Sequence, residues 1–405
     1  MFDHVVRRAK LPAGLADIGI SQGRIAAIAP HLTCDAPETD ANGHLVIPGF
    51  VETHLHLDKT CILDRCPASE GSVAEAVRLT SAAKRGFTAE DVYTRGRRTL
   101  EKCLCHGTTR IRTHVELDPG IGLRGFDGVQ ALAQDYAWAI DLEICVFPQE
   151  GLTDNPGTEA LLTEGLKRGA RVLGAAPYCD SDPTGQIDRI FAIARDHDVD
   201  IDMHLDMGDT TEGMQVEYVC RKTDEYGWGG RVSVGHVTQL SLLEPIRFET
   251  VAQRLADAGV AVAVLPSTDL FLSARTATHA VPRGVAPAHR LLTHGVNCSI
   301  STNNVLNPFT PYGDGSLTRM ANLYANVTHL GRPTDLACCL DMITHRPARA
   351  MNLRDYGIAV GNPADLVMLD AMDATGAIAE IAQPLWGMKA GRMSFTRPRA
   401  ALLRP

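Results

Sequence analysis

The chain has 405 residues, 45% hydrophobic and 21% charged, a composition that requires a sizeable folded core and excludes extended disorder. Its formal charge is −9 and no Lys/Arg-rich run occurs, so no nucleic-acid partner is expected. No apolar stretch approaches the roughly 18 residues that span a bilayer, and MFDHVVRRAK lacks the apolar centre of a secretion signal. A cytoplasmic protein without a membrane partner is expected.

In chain order, Ile18 to about Ile47 reads as short strands broken by turns: ADIGI, RIAAIAP and GHLVIPG. After the PGF junction at Pro48 to Phe50, apolar runs alternate with segments of helical period, the pattern of βαβ units and a parallel sheet. About eight such runs occur, near 46–57, 108–117, 141–151, 171–180, 199–207, 231–238, 260–269 and 296–305, with helical patterns such as Glu159 to Arg168, Thr184 to His197 and Val251 to Ala258 between them. Eight is the number that closes a barrel. The strand-and-turn texture returns in Gly357 to Asp370 and Leu385 to Phe395. The expected fold is therefore an α/β protein, a (β/α)8 TIM barrel at 49–346, with a small discontinuous β-sandwich domain assembled from 1–48 and 347–405. Eleven cysteines, an odd number without CxxC spacing, read as reduced core residues.

Each apolar run ends in polar residues, and a barrel gathers its C-terminal strand ends around one mouth. His54 and His56 alternate with Leu55 and Leu57, so both imidazoles face one side of a strand and are able to share a metal. His204 ends a later strand and supplies a third nitrogen, leaving an open position of the kind that activates water. His114, Gln149, Asp206, His236 and Asn303 fall at other strand ends.

VIPGFVETHLHLDK resembles the first barrel strand of the amidohydrolase superfamily, whose members hold one or two divalent metals at the barrel mouth. RTHVELDPGIGLRG, VFPQEG, IDMHLD, GHVT, NPFTPYG and ITHRPARAMNLRDYGIAVGNPADLVML resemble, in order, the cytosine deaminase-like subgroup. The HxHxDK, RTHV and YGI-VG-ADLV segments are also similar to the N-isopropylammelide aminohydrolases. This resemblance implies a hydrolase cleaving a carbon–nitrogen bond in a small nitrogen heterocycle, with one divalent ion (Zn, Fe or Mn) on His54, His56 and His204 and with Asn303 within ligand or hydrogen-bonding distance of it. A homo-oligomer is expected.

Two positions depart from the pattern. Asn303 in STNNV stands where the subgroup has a metal-binding, proton-accepting Asp, and Met207 stands where it has a proton-shuttling Glu. An amide oxygen is able to coordinate but not to take the proton at neutral pH, which argues against cytosine as substrate. Compensation is expected from His236, which matches the subgroup's strand-six His, from Asp206, expected to face the cavity beside His204, and from Lys59, present also in the triazine relatives. Gln149 matches the glutamine that pairs with the amide edge of a pyrimidine. His114 and Asn304 complete the substrate-binding set, His114 with a buttressing role behind the ligands as its other reading. Lys59 favours an N-alkylaminotriazine or pyrimidine aminohydrolase as an alternative. Asn303 and Met207 favour a silent paralogue that binds a heterocycle without turnover.

Overall fold

The computed structural model describes residues 1–403. Sixteen strands occur among them: β1 His4–Leu11, β2 Gly14–Ser21, β3 Arg24–Ala29, β4 Glu38–Asp40, β5 Val46–Pro48, β6 Phe50–Leu55, β7 Thr108–Glu116, β8 Asp141–Phe147, β9 Val172–Ala175, β10 Asp200–Leu205, β11 Val232–His236, β12 Val260–Val264, β13 Cys298–Ile300, β14 Leu366–Leu369, β15 Pro384–Lys389 and β16 Arg392–Thr396. Strands β6 to β13 form one parallel sheet in sequence order. They correspond to the eight apolar runs of the sequence. Buried on both faces, such strands are continuous in Val, Ile and Leu rather than alternating.

The sheet closes where the chain following β13 meets β6. Asn303 N donates to His54 O (2.8 Å), and His56 N donates to Asn303 O (2.9 Å). Thr53 Oγ1 lies 2.8 Å from Ser299 Oγ and 2.7 Å from Ser301 Oγ. Glu52, fully buried, accepts from His54 N and Thr302 N, each at 3.0 Å. The closing seam is thus polar, and two residues expected to form the site, His54 and Asn303, are backbone partners in it.

The terminal segments build two four-stranded sheets, ordered β3-β2-β1-β4 and β16-β15-β14-β5, so β5 from the N-terminal segment pairs with β14 from the C-terminal one. Alternation explains their layering. Leu366 and Met368 of β14 join Val6, Ile18, Ile20 and Trp386 in the core between these sheets, whereas Val367 and Leu369 face the barrel core. Strand β1 lies outside the stretches that the sequence marks as strands. Its register shifts between Val6 and Ala9, and Arg8 lies at φ 51°, a bulge that interrupts the apolar alternation. All eleven cysteines are unpaired. No helix among the described residues is long and apolar enough to cross a membrane.

Candidate active site

Residues at the C-terminal ends of the barrel strands surround a narrow cavity lined by His56, Lys59, Gln149, His204, Met207, His236, Asn303 and Asn304, together with Tyr178, Thr268, Leu272 and Phe309. His54 stands beneath it. The Nε2 atoms of His54 and His56 each lie 3.0 Å from Nε2 of His204. A neutral imidazole nitrogen carries either one proton or one lone pair, so His204 Nε2 satisfies at most one of these neighbours by hydrogen bonding. One cation accepts three lone pairs at once, and nitrogens sharing a tetrahedral zinc at about 2.0–2.1 Å lie roughly 3.3 Å apart. The donor set therefore fits a divalent metal. Burial, followed by the surrounding imidazoles and Lys59, drives all three rings well below the usual histidine range, which keeps them neutral and able to ligate.

His236 closes one side. Its Nδ1 lies 2.7 Å from Oδ1 of buried Asp269, whose other oxygen accepts from Leu265 N at 3.1 Å. The carboxylate places the proton on Nδ1 and leaves the Nε2 lone pair towards Asn303 Nδ2, 3.4 Å away. Asn303 Oδ1 is buried without a hydrogen-bond partner. His236 and Asn303 lie at φ 71° and 64°, left-handed turns that carry each chain away just past its strand end.

Lys59 is buried opposite. Its Nζ donates to Glu116 Oε1 (2.6 Å) and Gln149 Oε1 (3.1 Å), and lies 4.7 Å from the Phe309 ring centroid. Glu116 also accepts from Lys84 (2.9 Å), which reaches Asp118 (2.5 Å) and Glu150 (2.5 Å) as well. Burial would raise Glu116, but the two ammonium groups hold it down at about 2. Arg95, from the helix Ala89–Cys105, donates to Thr60 O (2.7 Å) and Asp58 O (3.1 Å) and fixes the loop that carries Lys59. Asn307 Nδ2 donates to Lys59 O (3.2 Å) and Asn304 Oδ1 (2.7 Å), tying two walls of the cavity together.

Two expected residues sit elsewhere. Asp206 does not line the cavity: strand alternation ends at Leu205, the backbone turns left-handed at Asp206 (φ 47°), and its carboxylate accepts from Gln215 N (2.7 Å) and Val216 N (2.9 Å) at the start of the helix Val216–Tyr226. His114 is fully buried and stacks on His54, with centroids 3.9 Å apart, behind the cavity rather than on its wall. Met207 packs against Ala76, Leu272 and Phe309, making that wall apolar. Asp269, Glu116, Arg95 and Asn307 went unassigned in the sequence. Glu116 and Asp269 had a signal there, each as a polar end of an apolar run.

Comparison with known proteins agrees with this geometry. The amidohydrolase family profile matches residues 127–385. The chain is 27% identical to the N-isopropylammelide isopropyl amidohydrolase of Pseudomonas sp. (strain ADP) over 407 residues, 97% of each chain. It is 28% identical to the pterin deaminase of Rhizobium rhizogenes over 362 residues, 88% of this chain and 82% of that one. The structure of 5-methylcytosine deaminase from Klebsiella pneumoniae liganded with 5-fluorocytosine superposes with a TM-score of 0.94 at 28% identity, covering 99% of each chain.

Proposed function

Because the chain belongs to the amidohydrolase family, we propose that it hydrolyses an exocyclic amino or alkylamino group, or a cyclic amide, of a small planar nitrogen heterocycle at a site holding one divalent metal. The observation that carries this reading is that the Nε2 atoms of His54 and His56 each lie 3.0 Å from Nε2 of His204, at the cavity in the barrel mouth. A divalent cation held there supplies Lewis acidity and lowers the pKa of a nearby water. The imidazoles suit Zn, Fe and Mn in different degrees.

The remaining steps fall to the protein's own side chains. His236, its Nδ1–H held by Asp269, receives a proton on Nε2 as the general base, with the carboxylate stabilising the imidazolium that forms, and returns that proton to the departing amine. Asn303 orients His236 through its amide N–H and takes no proton itself. Lys59, paired with Glu116, offers an N–H to a ring acceptor at a cavity where Met207 offers none. Gln149, fixed through its oxygen by Lys59, presents its amide to the lactam or amidine edge of the ring, and Asn304 completes that contact. The proton path is thus His236 and Lys59 in place of a carboxylate pair. The unpaired cysteines favour a reducing, cytoplasmic setting for this chemistry.

Lys59 and the likeness to the Pseudomonas protein favour N-alkylaminotriazines within this class. A silent heterocycle-binding role is the other reading, motivated by Asn303 and Met207. Ammonia and alkylamine release by zinc-, iron- or manganese-loaded protein is measured over pyrimidines, triazines, hydantoins and pterins. Turnover that disappears in His204→Ala supports hydrolysis; tight heterocycle binding with no amine released from any of them assigns the silent role.

A further inference from the structure

Asp202 lies on β10 two residues before His204, on the same strand face but one layer deeper. It is buried in the barrel floor with Arg112 and His114. Arg112 Nη1 donates to Asp202 Oδ2 (2.8 Å), while Arg112 Nε donates to Glu143 Oε1 (2.6 Å). An arginine serving only to neutralise this aspartate would engage both oxygens with its fork. Here it divides its donors between two carboxylates, and Asp202 Oδ1 has no hydrogen-bond partner. That oxygen points at the rings instead, 3.9 Å from His54 Nδ1 and 3.5 Å from His114 Nε2. Both nitrogens also lack partners, and both rings are completely buried. Gly235 keeps this edge of His54 clear, because a Cβ there would stand 3.0 Å from His54 Nδ1.

The charges reinforce the geometry. One guanidinium against the carboxylates of Asp202 and Glu143 leaves a net negative charge beneath His54, at distances that give ion–dipole attraction rather than full hydrogen bonds. Among the residues surrounding the three Nε2 atoms, Asn303 is neutral, and Glu116 is engaged by two lysines. We infer that Asp202 is the positioning residue of the site: it holds His54 as the Nδ1–H tautomer, with Nε2 turned to the metal, and provides from behind the ligands the negative charge that Asn303 does not. A carboxylate behind a ligating imidazole fixes its orientation and raises its basicity, an effect worth about 10- to 100-fold in metal affinity.

The inference rests on the metal site proposed above. Zinc affinity, by competition with a chromophoric chelator, and the visible spectrum of the cobalt-loaded protein are compared for the parent, Asp202→Asn and Asp202→Asn/Asn303→Asp. Asp202→Asn keeps an oxygen for Arg112, and is expected to fold, to bind zinc about 10- to 100-fold more weakly and to alter the cobalt bands. Placing a carboxylate at 303 is expected to recover most of the lost affinity. Parent affinity and parent cobalt bands in Asp202→Asn overturn the inference while leaving the metal site standing. A parent that binds no zinc overturns both. Should Asp202→Asn fail to fold, nitrogen-15 spectra of histidine-labelled, metal-free parent decide: His54 protonated on Nδ1 is expected, and protonation on Nε2 refutes the assignment.

Discussion

Met207 and Asn303 stand where the resemblance places two carboxylates, and their surroundings differ. Met207 joins an apolar cluster with Ala76, Leu272 and Phe309, whereas Asn303 bonds to His236 and keeps a bare oxygen in the cavity. If missing proton transfer is what limits cytosine turnover, Met207→Glu and Asn303→Asp together are expected to raise ammonia release from cytosine by about 10²-fold or more. The gain should exceed the product of the single variants, because both groups belong to one proton path. Steady-state assays of all four proteins check this; no gain in a folded, metal-loaded double variant would show that cavity shape excludes cytosine. His236→Ala, in turn, is expected to lower kcat by about 10²- to 10⁴-fold with zinc stoichiometry unchanged, as read by elemental analysis. The histidines were legible in the sequence because each ends an apolar run. Asp206 misled because alternation says nothing about a left-handed turn one residue past the strand. Arg95 and Asn307 were illegible because their partners, Thr60 and Lys59, lie on other segments, brought close only by the folded chain.

Among the elements, the seam between β6 and β13 carries the most unusual group. Burial raises the Glu52 carboxyl to about 7, against the lowering effect of its hydrogen bonds from Thr302 and His54. A folded-state value above the unfolded one near 4.3 means that the folded protein binds the proton more tightly. This contribution to stability is complete below about pH 4 and is lost as pH rises through 7. Metal-free protein is therefore expected to lose on the order of 3 kcal/mol between pH 4.5 and 7.5 from this group, with other groups superimposed. Glu52→Gln, which imitates the protonated form, should flatten that decline, as measured by urea unfolding across the range. A decline of equal size in Glu52→Gln would assign it elsewhere. The barrel strands themselves were readable because strands buried on both faces give unbroken apolar runs. Strand β1 was not, since the bulge at Arg8 breaks the period-two signal and its partners are the later strands β2 and β4.

At the scale of the whole molecule, we propose the division into a barrel at 49–346 and a small domain of 1–48 with 347–405. The pairing of β5 with β14 supports it, as does the two-faced β14, which contributes to both cores. Removal of residues after 350 leaves β5 without its partner and exposes Val46 and Ile47, and the truncated chain is expected to be insoluble or to melt without cooperativity. A soluble, cooperatively melting truncation with ordered N-terminal strands would refute the division. Texture at both chain ends made this pairing legible, although neither end reveals alone which strand it joins. The proposed hydrolysis depends on one ion at the barrel mouth. Anomalous diffraction at the zinc edge from zinc-loaded crystals tests that claim most directly. It should give a single strong peak within bonding distance of His54, His56 and His204 Nε2, with Asn303 Oδ1 beside it. A peak away from these nitrogens, or none in crystals grown with saturating zinc, would contradict the site and the hydrolytic function built on it.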